Sequence, residues 1–136
     1  MDDLYRDEIL EHYRAPHNYG TLDTPSAVHE GHNPLCGDRI TMMLIVDDAG
    51  KVADVAFSGR GCAISQASAS LLTDEIRGSS VAEVEAMTNQ DILDLLGIEI
   101  SPARLKCALL SLETMQCALK ERDGEKAASG APEAST

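Results

Sequence analysis

The sequence has no tryptophan and one phenylalanine, and aromatic residues make up 3% of its 136 positions. Its core must therefore be aliphatic, and a hydrophobic content of 43% is enough to build one without disulfide staples. Long apolar runs are also missing. No stretch approaches the roughly 20 residues needed to cross a bilayer. Cations are scarce: 11 Lys and Arg stand against 23 Asp and Glu, for a formal net charge of −12. That balance repels phosphate backbones and anionic lipid surfaces, so neither nucleic acid nor membrane is an expected partner. The opening residues, MDDLYRDEILEHYR, are acidic and amphipathic, unlike a secretory signal or an Arg-rich transit peptide. A cytoplasmic location is the expectation, and the length suits one domain.

Leu4, Ile9, Leu10 and Tyr13 recur at helical spacing, and Pro16, Asn18 and Gly20 close that segment. The pattern predicts a helix over about Asp3–Arg14. Arg39–Val46 and Val52–Phe57 read as strands of an antiparallel hairpin across a Gly-containing loop, and Ala27–Glu30 is a weaker third strand. From Cys62 the period changes to that of a helix, with Ile64, Ala67, Leu71 and Ile76 on one face and Gly78 beyond it. Ser80 with Glu83 forms a capping box for a short helix. Asn89 is the expected cap of the next, which ends at Gly97. The last helix starts near Pro102, with Leu105, Ala108, Leu109, Leu112, Met115 and Leu119 as its core stripe. From Gly124 the chain is too poor in apolar residues to pack. The division is therefore a domain over 1–123 and an unstructured tail over 124–136. Strands first and helices after predict an α+β fold, a small mainly antiparallel sheet with helices on one face.

Four cysteines are present. In a reducing compartment they point to metal or sulfur chemistry rather than to disulfides. Cys36 sits in Asn33-Pro34-Leu35-Cys36-Gly37-Asp38, where Asn-Pro marks a turn and Gly37 lets a thiolate and a carboxylate converge. Alone, that motif is equally compatible with a buried cysteine beside a surface aspartate. Cys62 follows Gly59-Arg60-Gly61 at a helix start, where the macrodipole and free N–H groups favour thiolate; a small residue packed into the helix start is the plainer reading. Cys107 follows Arg104-Leu105-Lys106 and lies, at 100° per residue, away from the apolar stripe, so a purely packing role is disfavoured. Cys117 is ten residues further along the same helix, about 15 Å away, and is assigned no metal role. Cys36, Asp38, Cys62 and Cys107 make a four-ligand set for zinc or an iron–sulfur cluster. With Zn²⁺ the site would carry two net negative charges, which Arg104 and Lys106 could offset. The carboxylate grips soft metal less firmly than a thiolate, leaving one arm easier to release.

Four stretches occur in order: His12-Tyr13-Arg14-Ala15-Pro16-His17-Asn18-Tyr19-Gly20, Asn33 to Asp38, Gly61-Cys62-Ala63-Ile64-Ser65 with Ala67-Ser68-Ala69-Ser70, and Arg104-Leu105-Lys106-Cys107. Together they resemble the IscU/SufU family of iron–sulfur assembly proteins, collinearly over about residues 3–122. The resemblance implies an α+β fold and a site for zinc or a transient [2Fe–2S] cluster. It also implies a pyridoxal-phosphate cysteine desulfurase as sulfur donor, and apo iron–sulfur proteins or downstream carriers as recipients. Lys106 stands where the IscU branch usually has His, and Ile100-Ser101-Pro102-Ala103-Arg104 replaces the Leu-Pro-Pro-Val-Lys chaperone motif. Both resemble the zinc-binding SufU branch. Asn89–Ser101, however, is short for the insertion that SufU proteins carry. By resemblance Cys36 is the preferred sulfur acceptor and Cys107 the second choice. A metal-bound thiolate is masked as a nucleophile, so ligand exchange on partner binding would free it.

The expected role is thus acceptor or scaffold rather than conventional enzyme. A zinc hydrolase or deaminase needs an open coordination position and a nearby general base. His12, His17, His29 and His32 lie outside the cysteine motifs and are expected at turns or on the surface; His32 is the one nearest Cys36 in sequence. Purely structural zinc is a further alternative, which predicts unfolding on metal removal.

Overall fold

The computed structural model describes the backbone of residues 2–34 and 37–130 and the side chains of residues 7–34 and 37–122. Helix α1 (Asp2–Arg14) comes first, then strands β1 (Ala27–Asn33), β2 (Asp38–Val46) and β3 (Val52–Arg60). Helices α2 (Ala63–Ile76), α3 (Val81–Glu85) and α4 (Asn89–Leu96) follow. A 3₁₀ turn at Pro102–Arg104 leads into α5 (Leu105–Gly130). The strands form one antiparallel sheet in the order β1-β2-β3, which is the α+β arrangement the sequence predicts.

The β2–β3 loop is set by Asp47, whose Oδ1 accepts from the N–H groups of Ala49 and Lys51, each at 2.9 Å. Such Asx turns make aspartate a turn former. Along β2 and β3, Ile40, Met42, Leu44, Val55 and Phe57 point inward and are essentially fully buried. Helix α5 crosses β1 and β2 on that face and packs against α2, which carries α1 and α4 on its other sides. Leu72, Ile76, Ile92, Leu96, Leu112, Met115 and Leu119 complete an aliphatic core around a single Phe57. Burying each large side chain stabilises the fold by about 1.5–3 kcal/mol before entropy is counted.

The Ser80–Glu83 capping box forms as expected, with the Ser80 N–H donating to Glu83 at 2.9 Å and the Glu83 N–H to Ser80 Oγ at 3.1 Å. These bonds hold the Glu83 carboxyl below the usual range. For α4 the cap is Thr88 with Asp91, not Asn89. The β-branched hydroxyl one residue earlier takes the extended conformation and pairs with the N3 residue. Gly97 ends α4 at φ 70°, a left-handed value that costs glycine little.

Three expectations need correction. The α5 stripe is not confined to one narrow face. Leu105 is 37% exposed and Leu109 only partly buried, whereas Cys107, Leu110, Ser111 and Thr114 are buried. A helix that meets β1, β2 and α2 together buries more of its circumference than a single apolar stripe. Nor are all the histidines peripheral: His12 is 8% exposed and lies 2.6 Å from Ser70 Oγ on α2. Finally, α5 runs past Gly124 to Gly130. Glu125-Lys126-Ala127-Ala128 are good helix formers, so a helix already packed upstream can propagate through them. Residues 131–136 lie outside the described residues.

Candidate metal centre

The start of β2, the start of α2 and the start of α5 meet at one end of the sheet. Asp38 opens β2 and is 2% exposed. Cys62 is the N-cap residue of α2, with extended backbone at φ −71°, ψ 170° and no side-chain cap bond, so its thiol stays available. Its N–H donates to Asp38 Oδ1 at 3.0 Å. Cys107 is fully buried in the first turns of α5.

One ligand atom from each of Asp38, Cys62 and Cys107 lies within 4.8 Å of the others. A tetrahedral ion with metal–sulfur bonds near 2.3 Å sets its ligand atoms about 3.7 Å apart. Small side-chain rotations close that gap. The donor chemistry fits as well. Asp38 Oδ2 is part of a buried carboxylate, yet among the described residues its nearest donor is the weak S–H of Cys62 at 3.9 Å. With Oδ1 taken by the Cys62 N–H, Oδ2 is the oxygen placed to meet a cation. Asp38, Cys62 and Cys107 can therefore hold a metal ion. Cys36, the remaining member of the predicted set, lies outside the described residues; Gly37, to which it is bonded, lines the same cleft. That cleft has a volume of about 570 Å³ and is also lined by Arg60, Gly61 and Arg104. The two arginines place positive charge beside the thiols, whereas Lys106 is exposed and is not part of the lining.

A family model described as NifU-like N terminal domain matches residues 4–128. The chain belongs to this family. Its sequence is 36% identical to the zinc-dependent sulfurtransferase SufU of Bacillus subtilis, over 91% of this chain and 95% of that protein. It is 37% identical to the iron–sulfur cluster assembly scaffold protein IscU of Thermotoga maritima, over 87% of this chain and 94% of that one. Among solved structures, an iron–sulfur cluster assembly scaffold protein for the SUF system from Fervidobacterium islandicum superposes with a TM-score of 0.73 at 29% identity, covering 83% of this chain and 94% of that one. A NifU-like protein (N-terminal) from Brucella abortus gives 0.74 at 26%, covering 91% and 97%. The SufU alignment runs over 141 positions, more than the 136 residues of this NifU-like domain.

Around the ligands, three residues matter that the sequence alone did not single out. Asn33 is 6% exposed and directs Nδ2 at Cys107 Sγ over 3.9 Å. Ser65 donates to the Cys62 carbonyl at 3.1 Å, with its hydroxyl 3.9 Å from the Cys62 sulfur. At Gly61, an added Cβ would stand 2.8 Å from Asp38 Oδ1 and 2.3 Å from Ser65 Oγ; the carboxylate is seated where any other residue would put its side chain. Asn33 and Gly61 lie inside motifs already noted for their turns, but their contacts span up to 74 residues and no local signal shows them. Cys117 is exposed and takes no part in the cluster. His17, His29 and His32 are away from it too: His17 pairs with Asp74 at 2.5 Å, His29 with Glu121 at 3.0 Å, and His32 is exposed on β1. Among the described residues no histidine joins the metal-ligating group. No described helix is long and apolar enough to cross a membrane.

Proposed function

We propose that this iron–sulfur assembly protein accepts persulfide sulfur from a pyridoxal-phosphate cysteine desulfurase at a zinc site made of Cys36, Asp38, Cys62 and Cys107, and delivers it to apo iron–sulfur proteins or their carriers. The observation that carries the reading is the convergence of three ligand atoms within 4.8 Å at the cleft. The SufU relative's name supports zinc. When bound, zinc would hold the thiolates together and keep them from stray oxidation. In the transfer itself the Cys36 thiolate attacks the outer sulfur of the donor's cysteine persulfide. A new S–S bond forms at Cys36, the donor's S–S bond breaks, and the donor cysteine leaves as a thiolate, with no net gain or loss of electrons. Cys107, buried beside Asn33, is the second candidate for that attack.

A transient [2Fe–2S] cargo on the same ligands is the second reading, favoured by the IscU relative. Metal and acid-labile sulfide analysis, followed by anaerobic incubation with desulfurase, cysteine and ferrous iron, separates the two. A sulfur acceptor raises desulfurase turnover and gains one sulfur by mass, without cluster absorbance. A scaffold develops the absorbance. If neither occurs, the assignment falls.

A further inference from the structure

The inner face of the sheet is the core, and the outer face is exposed at the end nearest the cleft. On that outer face the register sets His32 of β1 opposite Arg39 of β2, and Arg39 opposite Arg60 of β3. All three are exposed. Like charges directly across neighbouring strands destabilise a sheet. Here two guanidiniums are so placed in a chain with a net charge of −12. Among the described residues neither has a carboxylate within ion-pair distance, whereas Arg77, elsewhere on the surface, is paired with Asp54 at 2.7 Å. The row also borders the cysteine cleft, since Arg60 lines it and Arg104 lines it as well.

Along the same outer face, Glu30, Thr41 and Ser58 make the next row, and Val28, Met43 and Ala56 the one after. Val28 is 49% exposed. Beyond β3, Tyr19 is 51% exposed and donates its hydroxyl to the Gly59 carbonyl at 2.8 Å. The surface beside the cleft thus presents arginines and a tyrosine, with Val28 exposed farther along β1, whereas Met43 and Ala56 are buried.

We propose that the His32–Arg39–Arg60 row is a docking face for an acidic surface of the protein that donates sulfur to the neighbouring cleft; this rests on the sulfur-acceptor reading above. The row spans about 10 Å across three strands, too wide for one small anion to bridge. Exposed arginine and tyrosine suit a protein interface. The remaining surface is largely acidic and repels an acidic partner in other orientations, so the row both attracts the donor and points its sulfur at the cleft. The cross-strand repulsion between Arg39 and Arg60 is relieved when the partner's carboxylates arrive.

The test is the association rate with a cysteine desulfurase, measured by stopped-flow at low and high salt. Wild-type association should slow about tenfold or more as salt is raised, as steered encounters do. Arg39→Glu/Arg60→Glu should lose about tenfold in on-rate at low salt and most of the salt dependence, and Arg39→Glu alone, outside the cleft lining, should lose part of the on-rate while its metal content stays at the wild-type level. Lys120→Glu, on the distant part of α5, should change the rate less than about twofold. Arg39→Gln/Arg60→Gln guards against a folding artefact: it should be at least as heat-stable as wild type yet slower to associate. A wild-type on-rate and salt slope in the double variants would overturn the proposal, as would loss of thermal stability in the Gln variant. So would saturable protection of the wild type by inorganic phosphate at constant ionic strength, which would make the row a small-anion site. If wild type does not associate with the desulfurase at all, the sulfur-acceptor reading itself fails. If it associates but ignores Arg39 and Arg60, only the docking face does.

Discussion

The backbone N–H of Cys62 donates to Asp38 Oδ1 over 3.0 Å, tying the first turn of α2 to the first residue of β2 at the point where the candidate ligands gather. One carboxylate oxygen is thereby fixed by the backbone, and the other is left facing the Cys62 sulfur. The aspartate is held in place before any metal arrives.

That seating depends on the space at Gly61. Gly61→Ala places a methyl group 2.8 Å from Asp38 Oδ1 and should move the carboxylate. Metal affinity should fall about 10–100-fold, the range seen when groups orienting a ligand are lost. Competition with a chromogenic chelator measures it. Far-ultraviolet circular dichroism should stay that of the wild type.

Cys36→Ala, Asp38→Ala, Cys62→Ala and Cys107→Ala should each lower bound metal well below one equivalent. Cys36→Ala and Cys107→Ala should in addition abolish stimulation of the desulfurase. Cys117→Ala should leave both quantities unchanged, because Cys117 is exposed and outside the cluster. Elemental analysis and a sulfide-release assay read the two effects.

The His12 imidazole is held below its ordinary pKa of 6.5, first because burial penalises the charged ring and then because His17 stands beside it. Neutral His12 can accept the Ser70 hydroxyl proton while Ser70 Oγ accepts the His17 N–H at 2.8 Å. The unfolded chain takes up this proton near pH 6.5 and the folded one only at lower pH, so unfolding binds protons in that window. Stability should be full above about pH 6.5 and decline as the pH falls towards the folded value. Urea midpoints across that range should show the decline. In His12→Asn it should be shallower.

Chelation should lower the melting temperature without unfolding the protein. The stabilisation lost is the binding term, about 4 kcal/mol when free metal stands at 1,000 times Kd. The core from Ile9 to Leu119 has its own burial and contains none of the candidate ligands except where Cys107 borders it. Unfolding of the apo form by calorimetry would instead make the metal a structural one.

Much of this fold is legible in the chain because the signals are local. The Ser80–Glu83 box, Gly97, the Asp47–Lys51 loop and the alternating Ile40-Met42-Leu44 each act within a few residues. Thr88 and Asn89 are both good caps, and only the backbone conformation decides between them. The burial of Cys107 is not legible for a different reason: a helical wheel assumes one buried stripe, while α5 is enclosed by three elements. His12 looked peripheral because its partner Ser70 is 58 positions away. At the site, Asp38, Cys62 and Cys107 were legible as ligand types. Asn33, Ser65 and Gly61 were not, since their importance lies in distances. The arginine row needed the strand register before Arg39 and Arg60 could be seen as neighbours.

Because the cleft is built from the openings of β2, α2 and α5, it does not exist in any partial chain. During synthesis, Asp38 and Cys62 emerge long before Cys107, and a metal caught early would find a carboxylate and a thiol without the wall that completes the pocket. The complete ligand group therefore forms only once the final helix has docked.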